Sequence, residues 1–237
     1  MMNVDYLIAL FLLCAVYALT VYAMKYIRNL KLFNVLFGCA VYLPYVLHSI
    51  IVYRSVGFFD WNFQNTLPTA NVSPFMFSLI PLLLILPQKA KKSVYLLISL
   101  LSVGMFCSTV LGCVQNAMIG YQFHPHFLLD YIAHFALSLF GVYLVRSGQV
   151  QLTLKKSAAS SAIILGGATL MLTLNLIFDT AFFGLSLRGR HSIYNMVLTG
   201  QSYLSVLIYY GGLLGVLAIG FLFCKLLSRA RFRIAQN

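Results

Sequence analysis

Apolar residues dominate this chain in seven long runs, and polar residues fall mostly between them. The runs cover residues 6–24, 32–53, 67–87, 93–118, 127–145, 157–178 and 201–224. Each approaches or exceeds the roughly 20 residues that a helix needs to cross a hydrocarbon core about 30 Å thick. Backbone groups in lipid must be satisfied within their own segment, so the pattern predicts an all-α bundle of seven transmembrane helices. No internal repeat, low-complexity stretch or linker interrupts it. Residues 1–237 are therefore read as a single transmembrane domain ending in a short basic tail at 225–237.

Composition narrows the picture further. Of 237 residues, 61% are hydrophobic and only 8% charged, a balance that excludes a soluble domain of this size. The net charge of +12 comes from 16 Lys+Arg against 4 acidic residues, all of them Asp. Such an excess in a soluble protein would point to nucleic acid. Here the cations sit in short clusters between apolar runs, so membrane lipids are the expected partners and nucleic acid is not.

Thirteen of the sixteen cations fall on alternate connections and the tail, leaving only Arg54, Arg188 and Arg190 on the other side. The positive-inside bias then places the N-terminus outside the cell membrane and the C-terminus in the cytoplasm. Asp5 precedes the first run and the cations follow it, so that run reads as an anchor rather than a cleaved signal. The five cysteines lie within the runs without C-x-x-C or metal-site spacing. They read as small packing residues, and no cofactor or metal is expected. Gly211-x-x-x-Gly215 and Ala162-x-x-x-Gly166 predict close helix approaches, within one chain rather than between copies.

With this orientation, intramembrane polar groups concentrate in the outer half: His48, Asn71, Ser73, Gln115, Asn116, His126, Asp130, His134, Asn175 and Asp179. A charge at the centre of a lipid-facing helix costs on the order of 3 kcal/mol, so these groups should face inward and line one cavity open to the outside. In the fifth run His126, Asp130, His134 and Ser138 recur every four residues, which predicts one helical stripe. Asp130, one turn before His134, can accept its ring N–H and orient it as a general base. The alternative is a hydrogen-bond network that only joins helices.

Pro68, Pro74, Pro81 and Pro87 punctuate the third run. Pro74 is expected to loosen the helix near Ala70, and Thr66 with Pro68 marks a helix start whose free N–H groups suit an oxyanion or phosphate. The alternative is prolines whose neighbours satisfy the freed groups. The connection at 179–200 mixes aromatic and aliphatic residues with Arg188, Arg190 and His191, as an interfacial lid contacting lipid phosphates would, or a passive loop.

The Leu67-Pro68 start, the segment FHPHFLLDYIAHFALSLFGVYLV at 123–145, and Asn175 before an aromatic loop carry a resemblance. Over residues 67–195 the chain resembles the YwaF-like family of integral membrane proteins, which has a eukaryotic relative that is a phospholipid acyltransferase. The family pattern has a His two positions and a Cys four positions after the Pro, and a His midway along the fifth span. The resemblance carries the base onto His134, but the other two positions hold Ala70 and Val72. Ser73 is the nearest hydroxyl to replace the missing thiol, ahead of Thr69 and Cys113.

The leading expectation is a lipid-active acyltransferase or hydrolase. Ser73 attacks, His134 is the base and Asp130 its orienter. Asn71, Asn116, His126, Asn175, Asp179, Arg188, Arg190 and His191 are expected to bind substrate, some of the asparagines by donating to the oxyanion. One alternative is a non-enzymatic protein that binds a lipid or small molecule. Another is a metal-dependent hydrolase using ligands among His126, Asp130, His134, Asp179 and His191. In that case the first and last members of the fifth-run trio, about 12 Å apart along the axis, cannot share an ion.

Overall fold

The structure, a computed structural model, describes residues 2–27, 29–57, 67, 71–178 and 202–230. Among them are seven α-helices and no strand: α1 Val4–Ala23, α2 Leu30–Val56, α3 Val72–Leu82, α4 Gln88–Met118, α5 Pro125–Arg146, α6 Leu154–Phe178 and α7 Ser202–Leu227. Six have the length and composition to cross a membrane. The chain is therefore a multi-pass, membrane-type helical protein.

The exception is α3. Its 11 residues rise only about 16 Å at 1.5 Å per residue. It starts at Val72, with Asn71 extended at the N-cap, rather than near Leu67. Pro74 consequently occupies the third helical position, where an N–H would have no intrahelical acceptor, so it does not break the helix. At the other end Pro81 lacks an amide hydrogen, and the chain tightens into three-residue bonds such as Leu84 N–H to Pro81 O and Ile85 N–H to Leu82 O. The expected 21-residue third span is, in its described part, this short helix and the turn after it.

Helices α4 and α5 form the centre. α4 packs against α1, α5, α6 and α7, and α5 against α1, α2 and α4. From Phe135 to Val145 every residue of α5 is buried. Aromatic rings fill the contact with α2: Phe37 stacks on Phe140 at 5.7 Å, and Tyr143 lies 5.5 Å from Phe37. The outer helices expose large apolar side chains such as Phe11 and Leu207, a surface suited to acyl chains rather than water.

Close approach depends on glycines other than the expected ones. A Cβ on Gly141 would lie 2.7 Å from Ser102 Cβ and 2.9 Å from the Ile98 carbonyl, so α4 and α5 meet there backbone to backbone. A Cβ on Gly220 would overlap the Leu100 carbonyl oxygen, so α7 meets α4 there backbone to backbone. Around Gly166, Gly211 and Gly215, by contrast, nothing among the described residues lies within 4 Å of such an atom. The i,i+4 spacing was a sound signal for a small face, but α7 turns a different face to α4.

Hydrogen bonds identify the two ends of the bundle. Asn34 and Gln149 bond at 2.9 Å, and the Arg146 guanidinium donates to the Val21 carbonyl, joining the ends of α1 and α5 to the start of α2. This is the basic end. At the opposite end the Asn3 N–H donates to the Ala117 carbonyl and Tyr6 to that of Gln122.

Candidate functional site

At the end opposite the lysines, a cavity of about 620 Å³ opens between the last turns of α2 and the starts of α3 and α5. Asn71 and Ser73 reach it from α3, His126 and Asp130 from α5, and His48 from α2. Local sequence explains the convergence. Pro125 occupies the first helical position of α5, where its fixed φ suits a helix start, leaving His124 at the N-cap. Asn71 and Ser73 flank the start of α3, whose early N–H groups have no intrahelical acceptor. Two positive helix ends therefore border the same space.

The rim is imidazole-rich. His124 stacks on His126 with ring centroids 5.5 Å apart, and the His48 ring also lies 5.5 Å from that of His126. His48 Nδ1 lies 2.9 Å from the His126 carbonyl oxygen. A carbonyl only accepts, so Nδ1 carries the proton, and that bond ties α2 to the first turn of α5. Val52, Val56 and Phe127 supply an apolar wall beside this polar rim.

His134 lies one turn beyond Asp130. Its Nδ1 donates to the Asp130 main-chain carbonyl at 2.8 Å, with the carboxylate Oδ1 at 3.5 Å. The main-chain carbonyl thus makes the shorter contact, and the carboxylate expected to orient the ring lies beside it. The His134 ring meets the edge of Phe77 at 5.1 Å, and Phe77 is one turn along α3 from Ser73. Helices α3 and α5 both start at this end, so Ser73 sits level with the Asp130 region and Phe77 with His134. Among the described residues no hydrogen bond joins Ser73 to an imidazole or to Asp130.

The four-residue stripe does not remain on one neighbour. Each step of four residues advances about 40° past a full turn, so the row spirals about 120° from His126 to Ser138. His126 meets His48 of α2, Asp130 faces the cavity, His134 meets Phe77 of α3, and Ser138 Oγ lies 3.0 Å from the Tyr17 hydroxyl of α1.

The remaining expected site residues lie elsewhere. Asn116 donates to the Tyr131 hydroxyl at 3.0 Å, in a separate cluster with Tyr6 and Cys113. Asn175 is buried on α6, which packs against α4 and α7 rather than the helices around the cavity. Asp179, Arg188, Arg190 and His191 lie outside the described residues, as do Thr69 and Ala70. Sequence reasoning missed His124, although a His before Pro125 at a helix start was a usable signal; His48, expected only to line the cavity, does so.

Among the described residues no three His, Cys, Asp or Glu side chains converge to hold a metal ion. Chemically, the cavity offers imidazoles for proton transfer, a hydroxyl at a helix start, and N–H groups suited to an anion or oxyanion. Comparisons with protein-family models, curated proteins and solved structures found no match.

Proposed function

We propose that the chain is a seven-span protein of the cell membrane, with its N-terminus outside, that belongs with the YwaF-like proteins. Its histidine-end cavity takes the polar head of a membrane lipid, and its reaction is transfer or hydrolysis of an acyl group. The single observation carrying this reading is that Ser73, at a helix start, shares one cavity with His126, Asp130 and Asn71. Chain tracing supports a seventh crossing: Val56 lines the histidine-end cavity and Gln88 the basic end, with α3 on the segment between them.

In this reading Ser73 Oγ attacks the ester carbonyl and passes its proton to an imidazole nitrogen. The tetrahedral oxyanion takes hydrogen bonds from N–H groups at the start of α3. The alcohol leaves with the proton from the imidazolium, and water or an acceptor alcohol releases the acyl-serine by the same route. His126, which lines the cavity with Ser73, is favoured as base over His134, whose ring packs against Phe77. A serine-directed fluorophosphonate should label purified protein at Ser73, and labelling should be lost in Ser73→Ala and in His126→Ala. Equal labelling of wild type and Ser73→Ala would remove the acyl mechanism.

A second reading, a lipid-binding protein without catalysis, is favoured by the lack of a hydrogen bond from Ser73 to any imidazole among the described residues. Unchanged acyl composition in cells lacking the protein, together with a lipid that co-purifies with it, would establish that reading instead.

A further inference from the structure

The basic end holds a second cavity, of about 640 Å³, where the start of α4, the α5–α6 connection and the start of α6 meet. Lys89, Lys92 and Lys156 line it. Gly148, with φ +74°, ends α5 in a left-handed turn that ordinary residues rarely adopt, and this turn brings Gln149 and Gln151 to the wall.

Three observations make this a site for an anion. First, the lysines stand at the starts of two helices, where the helix dipole is already positive and cations are disfavoured. Neither α4 nor α6 has an acid in its first turn, and Pro87 at the α4 N-cap offers no capping side chain. Second, among the described residues no carboxylate meets these charges. Among the described residues the one carboxylate contact of a basic group is that between Asp130 and His134 at the far end, and Lys156 Nζ bonds only the neutral Gln151 Oε1. Third, Ser160 lines the cavity at 2% exposure, and its hydroxyl has no hydrogen-bond partner among the described residues. That hydroxyl is therefore available to donate to an acceptor oxygen bound in the cavity.

We propose that this cavity binds a phosphate group, held by Lys89, Lys92 and Lys156 with the N–H groups at the start of α4 and the Ser160 hydroxyl. Phosphate matches the donor set because its several oxygens can accept from ammonium, hydroxyl and backbone N–H donors at once. The group can belong to an anionic lipid entering from the bilayer or to a soluble phosphate. The site is separate from the histidine-end cavity and does not rest on the acyl reading.

Native mass spectrometry of the full chain in detergent tests this, with phosphatidic acid, phosphatidylcholine and inorganic phosphate as probes. Wild type should retain one phosphatidic acid in preference to phosphatidylcholine. Neutralising Lys89, Lys92 and Lys156 together to Gln should weaken that retention about a hundredfold. The triple Lys→Arg variant, and Lys225→Gln with Arg229→Gln on the nearby tail, should stay within about threefold of wild type. If the triple Gln variant does not fold, Lys156→Gln alone should show a loss of about fivefold. Retention of phosphatidic acid that millimolar inorganic phosphate does not displace identifies a lipid; phosphate binding without lipid preference identifies a soluble occupant. Equal retention in wild type and the lysine variants, equal loss in the tail variant, or no binding of either phosphate source overturns the proposal.

Discussion

The two cavities of this bundle have similar volumes, about 620 and 640 Å³, and both open where two helices begin. Their side chains differ in kind. The histidine end offers His48, His124, His126, Asp130 and Ser73, a set rich in groups that exchange protons. The basic end offers lysines, which hold a fixed charge, with glutamines and serines around them. The same backbone device, a pair of positive helix ends, thus serves one cavity suited to chemistry and one suited to retention. Between them α5 is buried without interruption from Phe135 to Val145, with Leu137, Phe140, Leu144 and Val145 fully enclosed. That packed layer favours two independent sites over a transport route joining them.

The strongest way to break this comparison is to disturb the layer itself. Gly141→Leu would force a branched side chain where even a Cβ lies 2.7 Å from Ser102 Cβ and 2.9 Å from a carbonyl oxygen. The opposing atoms are backbone or close to it and cannot swing away. The expected cost is at least about 3 kcal/mol, at the upper end of overpacking penalties, with loss of monodisperse protein in size-exclusion chromatography. Folded protein with unchanged thermal midpoint would show that α4 and α5 are not held together at this crossing.

A smaller change should affect the histidine end alone. Phe77 is fully buried, its ring 5.1 Å from His134 and 5.1 Å from Tyr45. Phe77→Ala should cost about 3 kcal/mol from lost burial and the void left behind. It should also open His134 to the cavity, read as faster modification of His134 by diethyl pyrocarbonate, while retention of phosphatidic acid at the basic end is unchanged. If His134 reacts equally fast in wild type, Phe77 is not what separates it from the cavity.

Much of this architecture was legible from hydrophobic run lengths, because a lipid environment leaves the backbone few alternatives to helix. Six runs became long helices with ends within a few residues of those expected. The third run misled because its apolar length says nothing of where a helix starts. Extended Asn71 sets that point, and Pro74 follows three residues later, too early to act as a break. At the site, the sequence located polar groups by depth but not by direction around the helix axis. Asn116 has the right depth but bonds Tyr131, and Asn175 lies on α6, which packs against α4 and α7, whereas Asn71, Ser73, His126 and Asp130 share the cavity. Direction depends on which helices are neighbours, and a spiral of about 40° per four-residue step is enough to separate His126 from Ser138.

The smallest expected effect is at the glycine pair that sequence spacing singled out. Gly211 and Gly215 lie on a face of α7 where an added Cβ meets nothing within 4 Å among the described residues, so neither is needed for contact between them. Alanine has the higher helix propensity by up to about 1 kcal/mol, most of it backbone entropy that Gly loses on ordering. Gly211→Ala should therefore leave the thermal midpoint in detergent unchanged or slightly raised, and leave both fluorophosphonate labelling and phosphatidic acid retention as in wild type. The contrast with Gly141 is informative because both are helical glycines in apolar surroundings, and only the atoms opposite them differ. A loss above about 1 kcal/mol at Gly211, more than surface substitutions usually cost, would mean that this face is covered in the folded protein. A mass measurement of the particle would then show whether a second copy covers it.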